Sequence, residues 1–240
     1  MGFPKGLLPT RIIPDKWWEM PEITDVLALR PEPKNCVLLI VGDSTHVLDD
    51  LNEFISICPT NFDTMCMNYS HKIVPWDIQH FVAGDSHMED MQNMAAELPD
   101  TCLKHCWNPK SKGFHIRWVR NGRSGWNGTT ANLGIKIGIA LGYTRIVLAG
   151  VPMDTSGNWY ARLLPSADVK QGKNHEAHLW KWNEIASRPI SRLIRSMSGN
   201  TEKLLGKPTR EWIEEAIILQ EKVHGKKDAE GKVGTGIGTA

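Results

Sequence analysis

TTANLGIKIGIALGYTRIVLAGVPMDTSGNWYA, residues 129–161, sets an apolar helix directly before a buried strand, and the strand empties into a polar loop. Thr129 and Thr130 follow the turn-forming run Ser124-Gly125-Trp126-Asn127-Gly128, so a hydroxyl can cap the free amides of a helix that closes near Gly142. Gly134, Gly138 and Gly142 recur every four residues, and each costs about 1 kcal/mol against Ala inside a helix. That spacing predicts one bare face lying close against a sheet. Leu133, Ile135, Ile137, Ile139, Ala140 and Leu141 make the other positions apolar on several sides, which describes a largely buried helix. Arg145 to Val151 is a β-branched run of the kind covered on both faces in parallel sheets. Ligands of open α/β sheets collect beyond the carboxyl ends of such strands, and Pro152 to Tyr160 occupy that place.

Upstream the same grammar repeats. Cys36 to Val41 reads as a buried strand, closed by Gly42-Asp43-Ser44-Thr45 before a helical pattern over Val47 to Ile57. Further strands are predicted at Thr64 to Asn68 and Gln79 to Ala83, the latter discharging through Gly84-Asp85-Ser86-His87 into a Met-rich helix that ends near Leu98. Residues 114–119 alternate as a half-buried edge strand does. Strands alternating with helices signify a doubly wound, mainly parallel, Rossmann-like α/β sheet in a single domain. We place that domain at 35–224. Residues 1–34, with six prolines and the pair Trp17-Trp18, form an extended arm suited to wrapping the domain or a second copy of the chain in a homo-oligomer. Ala177 to Met197 holds one or two helices interrupted by Pro189, and Arg210 to His224 is an amphipathic closing helix. The charged, then Gly-rich residues 225–240 read as a disordered tail.

Composition excludes several classes. With 28 basic against 27 acidic residues in 240, the chain lacks the charge excess of a nucleic-acid binder. Its apolar runs fall far short of the ~20 residues that cross a bilayer, and no export signal opens it, so a soluble cytoplasmic protein is expected. Five irregularly spaced cysteines suit buried thiols in a reducing compartment. Cys102, His105 and Cys106 could approach one another on a helix face, but no second ligand pair at metal-finger spacing follows, and small residues at a helix-to-loop transition account for them better.

The residues with chemistry sit where strands end. Gly42, Asp43 and Ser44 form either a structural turn or one that admits a nucleotide, with Asp43 accepting from a ribose hydroxyl or capping the next helix. Asn68, Asp85 and Thr130 should stand on the same rim as Ser44, a grouping that fits a pocket for a nucleotide's base and sugar. His175 and His178, three apart, would share one side of a helix, where an imidazole can deprotonate an acceptor hydroxyl; a solvated helix start is the plainer alternative.

Thr129-Thr130, Ile139-Ala140-Leu141-Gly142-Tyr143, Ile146 to Gly150, Ser156-Gly157 and Tyr160-Ala161 together resemble the bacterial sialyltransferase family that acts on lipooligosaccharides. They are also similar to a wider group, including phage-encoded members, classed with archaeal 6-hydroxymethylpterin diphosphokinases. The match covers 33 residues closely, with weaker correspondence at Val41 to Ser44 and at Asn68. The resemblance implies a cytidine nucleotide held by Gly42 to Ser44, Asn68, Thr129 and Thr130, with Asp85 where the family has an Asn and Ser156 inside the matched stretch. It implies that Tyr160 contacts the departing phosphate and that His178, or else His175, is the general base acting on a sugar acceptor, with no cofactor. Asp154 stands where the family has a second tyrosine, and Gly150-Val151-Pro152 replaces its Gly-x-Asp. A carboxylate there would repel phosphate unless Mg²⁺ intervened, which suits a pyrophosphoryl transferase using Asp154, Asp43 and Asp85. A non-enzymatic phage accessory or structural protein that keeps the fold is the third reading.

Overall fold

Two runs of five residues set the centre of the molecule: Val37–Val41 (β2) and Arg145–Ala149 (β7) are buried along their whole length and pair in parallel. The computed structural model describes residues 10–13, 35–108, 110–120, 129–159 and 175–230. Thr10–Ile13 (β1) begins the described chain, and after β2 come helix Val47–Ile57 (α1), Asp63–Met67 (β3), His80–Val82 (β4) and helix Glu89–Glu97 (α2). Leu103–Cys106 (β5), Ile116–Arg120 (β6) and helix Thr130–Ala140 (α3) lead to β7. Helix Leu179–Ala186 (α4), Ile194–Ser196 (β8), helix Gly199–Leu205 (α5) and helix Arg210–Glu230 (α6) complete it. The eight strands make one sheet in the order β1-β6-β5-β4-β3-β2-β7-β8, every pair parallel. This is the doubly wound α/β architecture read from the sequence.

Period-2 alternation in β2 divides the core in two. Leu38 and Ile40 face α3 and α4, whereas Val37, Leu39 and Val41 face α1, α2 and α6. The bare face of α3 lies against the sheet as its glycine spacing predicts: a Cβ on Gly138 would stand 2.7 Å from Leu38 Cδ2, and one on Gly134 3.2 Å from Met65 Sδ. Thr129 caps this helix, its hydroxyl accepting from the Asn132 amide at 3.4 Å.

Several elements depart from the sequence reading. Leu103–Cys106 is a strand rather than a helix end, so His105 and Cys106 point to opposite faces and cannot share a metal. Residues 10–13 of the arm join the sheet beside β6, so β6 is not an edge. The three-residue β8 follows the 3₁₀ turn that begins at Pro189, and α6 runs to Glu230, six residues into the tail expected from 225.

A polar string crosses the α3 side of the sheet. Trp118 Nε1, which can only donate, bonds His105 Nδ1 at 2.9 Å; His105 Nε2 must then donate to His80 Nδ1 at 3.1 Å. His80 Nε2 in turn donates to the Tyr143 hydroxyl at 2.9 Å, and Tyr143 donates to Asp63. Both imidazoles are thereby fixed as neutral Nε2–H tautomers.

Burial pushes the Cys66 thiol far above its ordinary range and those of Cys102 and Cys106 up to about 11. At pH 8 a group titrating near 11 is only about 0.1% thiolate, the reactive form. We expect a disulfide reagent to modify no more than one thiol of the native protein within minutes, the half-buried Cys58, and all five after denaturation. Rapid native modification of two or more would contradict the packing.

Candidate functional site

The strand order reverses between β2 and β7, because β3 to β6 lie on one side of β2 and β7 and β8 on the other. The crevice at such a switch point is where open α/β sheets bind ligands. A cleft of about 370 Å³ opens there.

Its floor is two loops zipped together. Gly42 N donates to Ala149 O at 2.8 Å, Ser44 N to Gly150 O at 3.3 Å and Thr45 N to Gly157 O at 3.2 Å, while Ser44 and Asn158 form an antiparallel bridge. The approach is so close that a Cβ on Gly42 would stand 2.3 Å from the Gly150 carbonyl oxygen. Asp50, 4% exposed, braces the junction from beneath: its Oδ2 accepts from the Gly150 amide and the Ser198 hydroxyl, each at 2.7 Å. Burial raises this carboxyl above its ordinary range even though those two hydrogen bonds oppose the shift.

The rim brings distant residues together. Gly42, Asp43, Ser44, Asn68, Asp85, Thr129, Thr130, Asp154, Ser156 and His178 all line the cleft. Asn68, the first residue after β3, has φ +51, a left-handed conformation that Asn tolerates better than most residues. Gly84, just before Asp85, is held by the Trp107 indole N–H, which donates to its carbonyl. His178 closes a 3₁₀ turn at the start of α4; the backbone of His175 shares that turn, and Tyr160 lies outside the described residues.

Asp154 is the carboxylate with the most distinct surroundings. Burial alone would raise it, but hydrogen bonds from Ser156 and the field of His46, whose Nε2 is 3.5 Å away, hold it below the ordinary carboxylate range. It is therefore anionic at neutral pH. Asp43 and Asp85 add two further carboxylates to the wall, and no Lys or Arg lines it among the described residues. The amides of Gly42, Ser44, Thr45 and His46 already have protein acceptors, so this turn offers the ligand Asp43 and its polar wall rather than a ring of free N–H groups. The described residues contain no cluster of three His, Cys, Asp or Glu able to hold a metal.

Sequence reading did not single out Asp50, Trp107, Met153 or Asn158. Asp50 carried a signal, since it lies on the same helical stripe as Val47 and Phe54, where a carboxylate is out of place unless it has partners. Trp107 and Asn158 depend on loop geometry that no periodicity encodes.

No protein-family model matches the chain, and no curated protein matches it. Among solved structures it is similar to a MAf glycosyltransferase from Magnetospirillum magneticum AMB-1, with a TM-score of 0.47 and 12% identity. That likeness covers 92% of this chain and 43% of the other, so the chain spans less than half of that enzyme's length. No described helix is long and apolar enough to cross a membrane.

Proposed function

We propose that the cleft binds a nucleotide-activated sugar, with a CMP-sugar favoured, and transfers the sugar to a hydroxyl acceptor. The observation that carries this reading is convergence: ten residues spread from position 42 to 178 line one cleft at the strand-order reversal. The chemistry of the wall supports it. Three carboxylates accept from hydroxyl and amino donors, and the hydroxyls of Ser44, Thr129, Thr130 and Ser156 and the amides of Asn68 and Asn158 extend the polar surface. A ribose, a pyrimidine amine and a pyranose are rich in such donors.

His178 is the base in this reading. Its imidazole takes the acceptor hydroxyl proton as the oxygen attacks the anomeric carbon; the bond from that carbon to the phosphate oxygen breaks, and its electron pair leaves with the nucleotide. Asp43, Asn68 and Asp85 hold base and sugar hydroxyls. A second reading, Mg²⁺-dependent pyrophosphoryl transfer from ATP, draws on Asp154, Asp43 and Asp85, which line one cleft without gathering into a metal-binding cluster.

Nucleotide-dependent melting separates the two. At a ligand concentration of 100 times Kd, binding adds about 2.7 kcal/mol, roughly 5–10 °C in Tm for a chain of this size. We expect CMP to produce such a shift without metal. A shift with ATP that requires Mg²⁺ would replace the proposal with its competitor, and no shift with any nucleotide would favour a non-enzymatic role.

A further inference from the structure

Asn68 lines the cleft with a carboxamide that makes no hydrogen bond among the described residues. Where that side chain points is set by the backbone on either side of its Cα. On the amino side, Met67 pairs with Val82 in the ladder, and its N–H donates to the Ser70 hydroxyl at 2.9 Å; that hydroxyl, fully buried, donates in turn to Val41 O at 2.7 Å. On the carboxyl side, the Asn68 carbonyl accepts from His71 Nδ1 at 3.0 Å. A carbonyl can only accept, so Nδ1 carries a proton. The oxygen that His71 holds belongs to the carbonyl attached to the Asn68 Cα, so this bond sets ψ at Asn68 itself.

His71 is itself anchored. Its side chain is 7% exposed and lies outside the cleft lining, with its ring edge-on to Phe81 of β4 at 5.9 Å between centroids and its Nε2 3.8 Å from the Glu97 carboxylate at the end of α2. Tyr69 makes a second tie to that helix, its hydroxyl donating to Asp90 Oδ2 at 2.8 Å. The turn after β3 is thus gripped from β2 through Ser70 and from α2 through Tyr69 and His71. A residue other than glycine persists in the left-handed region where its surroundings over-determine it, and Asn68, with φ +51, is such a case. What the grip secures is an unengaged donor and acceptor pair on the cleft wall, the kind of group that reads a base or a sugar. Without it, Asn68 can relax out of the left-handed region and carry its side chain off the wall.

We infer that His71 is a positioning residue for ligand binding: through the Asn68 carbonyl it holds the Asn68 carboxamide toward the base or sugar of the nucleotide, which His71 itself does not touch. The inference rests on the nucleotide reading above and adds to it a residue outside the cleft on which affinity depends.

A double-mutant cycle tests it, with CMP affinity read by calorimetry. His71→Leu removes the Nδ1 donor and suits a buried place beside Phe81; affinity should fall about fivefold, the worth of one hydrogen bond. His71→Asn carries its Nδ2 where histidine carries Nδ1 and should restore affinity to within about twofold of native, although it lacks the Nε2 that faces Glu97. Asn68→Gly removes the carboxamide and keeps a residue at ease with positive φ; in that background His71→Leu should change affinity by less than about twofold. Native binding of CMP with an equal loss in both backgrounds, no loss in either, or no rescue by Asn overturns the inference and leaves the nucleotide reading intact. A native protein that binds no CMP removes the reading and the inference together. The native protein gives an answer even if the variants fail to fold: in its ¹⁵N spectra His71 Nδ1 must carry a proton, and the Asn68 side-chain NH₂ signals must move on adding CMP. A bare Nδ1, or Asn68 signals that stay in place with CMP bound, overturns the assignment.

Discussion

Gly42→Ala should cost about 3 kcal/mol of stability and abolish ligand binding. The added Cβ would stand 2.3 Å from the Gly150 carbonyl oxygen and 3.0 Å from its carbon, backbone atoms that no side-chain rotation can clear. The turn after β2 must then part from the loop after β7, giving up the bonds from Gly42 to Ala149 and from Ser44 to Gly150. At roughly 2–4 °C per kcal/mol for a chain of this length, the melting temperature should fall by about 10 °C. Denaturant titration provides the independent measure. A variant within 1 kcal/mol of the native protein, binding nucleotide normally, would show that the two loops are not wedged together as described.

His178→Ala carries the second large effect, this time on the barrier rather than the ground state. General-base catalysis contributes typically 10²–10⁴-fold, so turnover should fall by about that factor once a donor and acceptor are in hand. Donor affinity should stay within about twofold, because in the proposed function the turn after β2 and the cap of α3 hold the nucleotide, and His178, at the start of α4, takes only the acceptor proton. Undiminished kcat would remove His178 from the chemistry. Equal losses in kcat and affinity would make it part of the binding wall instead.

Much of this arrangement was legible in the chain. β2, α1, α3 and β7 combine strong periodicity with Thr or Gly punctuation at their ends, and because each strand is covered on both faces its apolar run is unbroken. The rim followed from that, since residues just past strand ends share one edge of a parallel sheet. What escaped reading had weaker local signals. β5 contains Lys104, whose ammonium is satisfied by the Leu98 carbonyl at 2.8 Å, so a buried strand carries a charge in its middle. β8 is three residues long and leans on β7, and β1 lies in a proline-rich stretch where only the pairing with β6 defines it. Asn200 and Thr201 act on a loop nearly fifty residues away, a relation no window of sequence contains.

The imidazole string from Trp118 to Asp63 has a bearing on how the sheet assembles. It ties β6, β5, β4 and the start of β3 to Tyr143 through donors and acceptors whose order is fixed at one end by an indole and at the other by a carboxylate. A one-residue slip of β4 or β5 would swing His80 or His105 to the opposite face, into hydrocarbon, and orphan its neighbours as well, at roughly 1–3 kcal/mol for each stranded group. Parallel strands three to five residues long have little else to distinguish neighbouring alignments. The string thus penalises misaligned pairing of these strands, which would part its members from their partners.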